Sequence, residues 1–122
     1  MSKILLIEDE KILAEMYMDK FSEAKFEVVL ALDAETGLKM VQKEKPDLIV
    51  LDIILPKSDG ISFLENLRKD KKVSSMSVVV LSNYDDPRAR REARKLGAMD
   101  YLIKTDFTPT GLTEKIKEYL PC

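Results

Sequence analysis

The chain has 122 residues, 45% of them hydrophobic, and its 20 Lys and Arg residues nearly balance its 22 Asp and Glu residues. This length suits one domain, the apolar share is sufficient for a core, and the net charge of −2 argues against a strongly basic nucleic-acid-binding module. Histidine is absent, and the single cysteine is the last residue, Cys122. Histidine-based catalysis, His-ligated zinc and an internal disulfide are therefore excluded within this sequence.

The sequence shows neither a secretion signal nor a membrane span. Its first apolar run, Ile4–Ile7, is too short for a signal peptide, and no stretch approaches the roughly 20 apolar residues of a transmembrane helix. The single cysteine fits a reducing compartment. We therefore expect a cytoplasmic protein that forms one domain over residues 1–122, with no output domain in this chain.

Short apolar runs recur along the chain and predict β-strands. The runs are Ile4–Ile7, Val28–Leu30, Leu48–Leu51, Val78–Leu81 and Tyr101–Ile103. The third and fourth runs do not alternate with polar residues, which is typical of parallel strands that are covered on both faces.

The segments between these runs carry apolar residues at helical spacing. Asp33 can cap the second helix, and Asp86 and Thr108 each stand before a proline, which suits the first turn of the fourth and fifth helices. Gly97 is a plausible end for the fourth helix. The order strand–helix, repeated along the chain, predicts a three-layer, doubly wound α/β fold with a five-stranded parallel sheet and five helices.

Polar residues stand where the predicted strands end, at the edge where open α/β sheets bind ligands. They are Glu8 and Asp9 after the first strand, Asp52 after the third, Ser82 at the end of the fourth and Lys104 after the fifth. Carboxylates that converge at one edge need a cation, and hard oxygen ligands favour Mg²⁺. A carboxylate nucleophile, a divalent metal, a lysine and a hydroxyl can together handle a phosphoryl group.

These segments resemble the receiver domain of two-component response regulators over essentially the full chain. The matching pieces are Ile7–Glu10, Pro46–Asp52, Leu55–Gly60, Val80–Ser82 and Gly97–Lys104, in this order and at these separations. The resemblance implies a flavodoxin-like sheet with strand order 2-1-3-4-5. It also implies a domain that is phosphorylated by a partner and catalyses only its own phosphorylation and dephosphorylation.

The resemblance implies a role for each residue of the pocket. Asp52 would be the phosphoacceptor, and Lys104 would hold the phosphoryl group. Asp9 and Asp52 would bind Mg²⁺ directly, Glu8 would act mainly through water, and the backbone carbonyl of Ile54 would be a further ligand.

The resemblance also implies a switch and partners. Ser82 would be the switch hydroxyl, and Tyr101 the aromatic residue that turns inward as Ser82 moves. The basic face formed by Arg88, Arg91 and Lys95, together with Tyr101, would bind a partner. The expected partners are a sensor histidine kinase or phosphotransfer protein and a downstream effector protein, with no membrane or nucleic-acid partner for this domain alone. The domain would be a monomer or a phosphorylation-dependent homodimer.

Simpler interpretations remain open for each residue taken alone. Glu8 and Asp9 could cap the first helix, Ser82 could be a turn hydroxyl, Lys104 could be a solvated lysine, and the arginines of the fourth helix could form a solvated face. The combination of Glu8, Asp9, Asp52, Ser82 and Lys104 at the ends of four strands favours the site over these separate interpretations. For the arginines of the fourth helix, the solvated face remains the default.

Two other functions are compatible with parts of the pattern. A phosphatase or phosphotransferase with an aspartyl nucleophile commonly carries a second acid two residues later, but Ile54 stands there in this sequence. A phosphorylation-independent protein-interaction domain on the same fold is the main alternative, although the complete set of acceptor, metal and lysine positions argues against it.

The sequence departs from the family pattern beside the pocket. Thr105 follows Lys104 where the family usually has a proline in a cis peptide, so this bond is either trans or a strained cis bond. Ile54, Asn83 and Tyr84 offer little polar help to a hydrolytic water. We therefore expect slow loss of the phosphoryl group.

Overall fold

Strands and helices alternate along the chain in the computed structural model, which describes residues 2–53 and 60–120. A short 3-10 helix, Lys104–Asp106, precedes the last helix. The strands are β1 Lys3–Ile7, β2 Glu27–Ala31, β3 Leu48–Asp52, β4 Val78–Ser82 and β5 Asp100–Ile103. The helices are α1 Lys11–Glu23, α2 Ala34–Glu44, α3 Gly60–Lys69, α4 Pro87–Lys95 and α5 Pro109–Lys117.

All strand pairs in the sheet are parallel, and the strand order is β2-β1-β3-β4-β5. The flavodoxin-like fold with this order is therefore confirmed. In the register of the sheet Ile7 lies beside Leu51, Asp52 beside Leu81, and Ser82 beside Ile103. The carboxyl ends of β1, β3, β4 and β5 thus lie at one edge, which brings the polar residues that follow them together.

The sheet separates two hydrophobic cores, as predicted from its continuous apolar strands. Alternate strand residues point to opposite faces, so each strand contributes to both cores. Residues of α2, α3 and α4 pack against one face, and residues of α1 and α5 pack against the other. The strand residues of the first core include Leu5, Ile7, Ile49, Leu51, Val78 and Val80, and those of the second include Ile4, Leu6, Leu48, Val50, Val79 and Leu81.

The predicted helix caps are confirmed. The side chain of Asp33 accepts from Thr36 N at 2.8 Å, that of Asp86 accepts from the first turn of α4, and that of Thr108 accepts from Gly111 N at 2.9 Å. Each bond satisfies an amide that the helix itself leaves without a partner.

Helix α1 begins differently, because its N-cap residue is Glu10, which makes no side-chain cap bond. Capping of this helix therefore does not explain Glu8 and Asp9.

Two glycines have positions that a side chain would disturb. Gly97 follows α4 with a φ of +82°, in the left-handed region that favours glycine. Gly60 donates its N–H to Ile53 O at 2.9 Å, and a Cβ there would overlap the Ile53 backbone. Close packing of Gly60 therefore brings the start of α3 against the residue that follows Asp52.

Within residues 2–53 and 60–120, no helix combines the length and the apolar character needed to cross a bilayer.

Candidate functional site

The predicted pocket is centred on the amine of Lys104. Its Nζ lies 2.9 Å from Glu8 Oε1 and 2.9 Å from Asp52 Oδ2. All three side chains are buried, with exposed fractions of 7% for Lys104, 2% for Glu8 and 7% for Asp52. Charge-assisted hydrogen bonds at this depth are short and strong because little water competes for the amine. The simpler interpretation of Lys104 as a solvated lysine is therefore wrong.

The carboxylates of the pocket fit a hard divalent cation. One carboxylate oxygen each from Glu8, Asp9 and Asp52 lies within 4.8 Å of the others. In the part of the chain that the structure describes, Glu8 Oε2 is the one buried side-chain polar atom that lacks a hydrogen-bond partner. A buried carboxylate oxygen without a partner is costly, and a cation or a water held by a cation would satisfy it. Oxygen donors of this type suit Mg²⁺.

Burial changes the acidity of Glu8. Burial and the nearby Asp52 raise the pKa of Glu8 from 4.5 to about 8, although its bond to Lys104 acts in the opposite direction. Burial lowers the pKa of Lys104, but its hydrogen bonds to Glu8 and Asp52 outweigh this effect and leave that pKa above its usual value. Lys104 is thus a fixed positive charge at neutral pH, beside carboxyl groups that compete for it.

Ser82 and Tyr101 are linked through the backbone of one residue, Tyr84, in the loop after β4. Ser82 Oγ accepts from Tyr84 N at 3.1 Å, and the Tyr101 hydroxyl donates to Tyr84 O at 3.1 Å. Both side chains are buried, with exposed fractions of 1% and 6%. Tyr101, predicted to turn inward, has its ring inside the protein in this structure, whereas the Tyr84 side chain is exposed.

The basic residues of the predicted partner face on α4 are exposed, but its aromatic residue is buried. Arg91 and Lys95 are exposed. Arg88 is also exposed, but its Nε lies 3.3 Å from Glu92 Oε1. Tyr101 is 6% exposed, so its ring offers little surface to a partner.

Several sequence predictions concern the immediate surroundings of the pocket. Among residues 2–53 and 60–120 no peptide bond is cis, so the bond between Lys104 and Thr105 is trans. Ile54 and the predicted loop residues 55–59 lie outside the described residues. Asn83 and Tyr84, which follow Ser82, are exposed.

The sequence did not predict the contacts of Arg90. Its guanidinium carbon lies 4.8 Å from the centre of the Tyr101 ring, and its Nη2 lies 2.9 Å from Asp85 Oδ1. In the sequence Arg90 is one of several arginines on a charged helix. Helical spacing places Arg90 with Arg94 on a different face from Arg88, Arg91 and Lys95, but it does not show that the partners of Arg90 lie in the preceding loop and on β5.

Comparison with known proteins agrees with this fold. A family model described as the response regulator receiver domain matches residues 4–117. The chain is 35% identical over 118 residues to the alkaline phosphatase synthesis transcriptional regulatory protein PhoP of Bacillus subtilis, which covers 97% of this chain and 48% of that protein. It is 36% identical over 119 residues to the probable C4-dicarboxylate response regulator DctR of the same organism, covering 96% and 51%. The chain therefore spans about half the length of the curated relatives it matches.

Solved structures agree as well. The chemotaxis response regulator CheY4 of Vibrio cholerae superposes with a TM-score of 0.88 at 26% identity, covering 98% of this chain and 99% of that one. The BeF3-activated N-terminal receiver domain of RstA from Klebsiella pneumoniae gives 0.86 at 27% identity, covering 98% and 99%. Because the family model spans most of the sequence, the chain belongs to the response regulator receiver domains of two-component systems, which are signalling domains rather than enzymes of metabolism.

Proposed function

We propose that the chain accepts a phosphoryl group on Asp52 in the presence of Mg²⁺ and changes its protein-binding preference as a result. The donor is a phosphohistidine on a partner histidine kinase or phosphotransfer protein, because this sequence has no histidine of its own. The observation that supports the proposal best is the placement of Lys104 Nζ at 2.9 Å from both Asp52 and Glu8, within a cluster of three carboxylates.

The residues of the pocket account for the transfer step. A carboxylate oxygen of Asp52 attacks phosphorus while the bond from phosphorus to the imidazole nitrogen breaks, and the electron pair of that bond stays on the nitrogen. The product on this chain is an acyl phosphate. Lys104 would then pair with an oxygen of the new phosphoryl group in place of a carboxylate oxygen. Its amine needs only a small movement for this, because it already contacts Asp52.

The carboxylate cluster gives the metal its protein ligands. Asp9 and Asp52 would bind Mg²⁺ directly, and Glu8 would act mainly through water, using the Oε2 atom that lacks a partner. The backbone carbonyl of Ile54, outside the described residues, is the further ligand we propose. When bound, the metal supplies positive charge that neutralises the phosphoryl oxygens.

The switch follows from the added charge. A phosphoryl group carries about two negative charges and several acceptor oxygens. Ser82 Oγ accepts from Tyr84 N at present, and its O–H would donate to a phosphoryl oxygen after phosphorylation. Tyr101 would respond through Tyr84. The effector would bind the neighbouring face with Arg88, Arg91 and Lys95. We propose that the phosphoryl transfer takes place in the cytoplasm. The domain would be a monomer or a phosphorylation-dependent homodimer.

The test is mass spectrometry after incubation with acetyl phosphate and Mg²⁺, with the modified residue mapped. We expect one added phosphoryl group on Asp52, loss of the modification in Asp52→Asn, and no modification without Mg²⁺. Asp47→Asn is the matched control, because Asp47 stands before the same strand at its other end and accepts from Lys3 N at 2.8 Å.

The proposal would be contradicted if the folded protein stayed unmodified after incubation with acetyl phosphate and Mg²⁺. That result would favour the phosphorylation-independent interaction domain. Modification of another carboxylate in Asp52→Asn at the wild-type rate would contradict the assignment of Asp52.

A further inference from the structure

Arg90 lies between two groups at the border of the switch. Its guanidinium stacks over the Tyr101 ring, 4.8 Å from the ring centre, and its Nη1 donates to Tyr101 O at 3.4 Å. On its other side, Nε and Nη2 lie 3.2 Å and 2.9 Å from Asp85 Oδ1. Arg90 is itself about one-third exposed, so it covers Tyr101 from the solvent side of the protein.

The same tyrosine is held from inside by Tyr84. The Tyr101 hydroxyl donates to Tyr84 O, and the N–H of Tyr84 donates to Ser82 Oγ. Asp85, which pairs with Arg90, is the next residue of this loop. Ser82, the loop and Tyr101 therefore form one connected network, and Arg90 joins that network to α4.

We propose that Arg90 is a positioning residue that holds Tyr101 in its buried orientation. It thereby sets the proportion of buried to exposed Tyr101 in the unphosphorylated protein. This inference rests on the proposed function, because a preset orientation of Tyr101 matters for signalling only if Asp52 is phosphorylated. In this chain the inward orientation of Tyr101 is stabilised before any phosphoryl group arrives. Phosphorylation therefore has less conformational free energy to supply than it would in a chain without Arg90.

The arrangement favours Arg90 over the neighbouring cations of α4. A planar guanidinium can stack on an aromatic ring and pair with a carboxylate at the same time. The ion pair with Asp85 is too exposed to stabilise much alone, so its main effect is to fix the guanidinium above the ring. Arg88 pairs with Glu92, and Arg91 is exposed on the same helix, so neither is a substitute.

The test reads the orientation of Tyr101 directly in the unphosphorylated protein. The chain is labelled with 3-fluorotyrosine, and Tyr101→Phe assigns the Tyr101 signal among the 4 tyrosines in the ¹⁹F NMR spectrum. We expect Arg90→Met to increase the solvent-exposed population of Tyr101 by about two- to fivefold, which is the range for removal of a cation–π contact at a solvent-exposed site. Exposure is measured from the change in ¹⁹F shift between H₂O and D₂O.

Two further variants make the result specific. Arg91→Met removes a neighbouring exposed charge from α4 and should leave the Tyr101 signal unchanged. Arg90→Lys keeps a cation near the ring and should restore part of the buried population. The inference would be overturned if the solvent exposure of Tyr101 were unchanged in Arg90→Met. It would also be overturned if the exposure changed equally in Arg91→Met.

Phosphorylation of Asp52 is measured separately by mass spectrometry in the same samples. Absence of phosphorylation with a shifted Tyr101 signal in Arg90→Met would count against the proposed function but not against the positioning by Arg90. Normal phosphorylation together with an unchanged exposure of Tyr101 in Arg90→Met would count against the positioning by Arg90 but not against the proposed function.

Discussion

The two ends of β1 carry lysine clusters of similar composition and different character. At the start of the strand, Lys3 Nζ lies 3.3 Å from Glu27 Oε2 and 3.3 Å from Glu44 Oε1. At the other end, Glu8 follows the strand and shares Lys104 with Asp52 at 2.9 Å. Each cluster is one lysine between two carboxylates, so residue type alone does not distinguish the pocket from an ordinary surface ion pair.

Burial separates the two clusters. The side chains around Lys3 are 26%, 52% and 22% exposed, whereas those around Lys104 are 7% exposed or less. Solvent screens the first cluster, but the second must compensate for the desolvation of three charged groups. The raised pKa of Glu8 is the consequence, because burial disfavours the charged form of its carboxyl group.

The sheet explains why the clusters differ. Glu8 and Asp52 follow or end β1 and β3, which lie side by side in the middle of the sheet. Glu27 stands on β2, an edge strand, and Glu44 ends α2 at the surface. The buried carboxylates of the pocket therefore come from the two middle strands, and the following predictions test the contrast between the clusters in order of decreasing effect.

The largest effect is expected for the rate of phosphorylation in Lys104→Met. Loss of the amine removes the positive charge that faces the phosphoryl oxygens, and removal of one such group typically costs about 10²- to 10³-fold. The rate is measured with acetyl phosphate and Mg²⁺ by mass spectrometry. Lys3→Met is the matched control and should keep the wild-type rate. A loss of less than about threefold in Lys104→Met, measured against the typical range above, would remove Lys104 from the transfer step.

Next is the stability of the same variant. Lys104→Met leaves Glu8 and Asp52 buried without their shared cation, and breaking a buried pair in this way typically costs about 3 kcal/mol. The free energy of unfolding is obtained from urea denaturation at pH 8 in EDTA. The loss should shrink at pH 5, where Glu8 carries a proton and needs no cation. Equal losses at the two pH values would show that Glu8 is not the group responsible.

An effect that is smaller per pH unit is the pH dependence of stability in the metal-free protein. The pKa of Glu8 is about 8 in the folded protein and 4.5 in an unfolded chain, so between these values the folded state holds a proton that the unfolded state has released. The contribution of Glu8 to the free energy of unfolding is therefore highest below pH 4.5. It falls as the pH rises towards 8, by at most about 1.4 kcal/mol per pH unit.

The measurement is the free energy of unfolding in EDTA at a series of pH values. Glu8→Gln should flatten the curve over this window, because glutamine keeps the hydrogen-bonding shape and does not titrate. An identical slope in Glu8→Gln would assign the dependence to another group.

The smallest effect is expected for the stability of Lys3→Met. Its pKa is raised mainly by hydrogen bonds to Glu44 and Glu27, but the amine is in contact with solvent. Exposed pairs of this type contribute little to folding. The midpoint of urea denaturation should move far less than in Lys104→Met, and it should move less still in high salt. A shift as large as that of Lys104→Met would contradict the distinction between the clusters.

Much of the fold could be predicted from local features. The apolar runs predicted every strand to within one or two residues, since a parallel strand that is covered on both faces needs continuous apolar side chains. The caps at Asp33, Asp86 and Thr108 were predictable because capping is a bond within one turn of chain. The pocket residues were predictable as a group, since parallel strands end at the same edge.

Contacts across the sheet edge were not predictable in the same way. The sequence allowed Glu8 to be a helix cap or a metal ligand, and only the fold showed it bonded to Lys104, 96 residues away in the chain. The stacking of Arg90 on Tyr101 was equally hidden, because it joins the surface of a helix to a strand. Such contacts depend on the distance and burial of side chains, which periodicity does not specify.

The sequence by itself determined the order of strands and helices, the caps, the family and the set of polar residues at one edge of the sheet, because each of these follows from local patterns or motifs. Tertiary structure alone decided which lysine is buried between carboxylates, that the pKa of Glu8 is raised, and which arginine covers Tyr101. The physical reason is that the strength of a charge interaction depends on burial and on distances of a few ångströms. Both quantities exist only once the chain has folded.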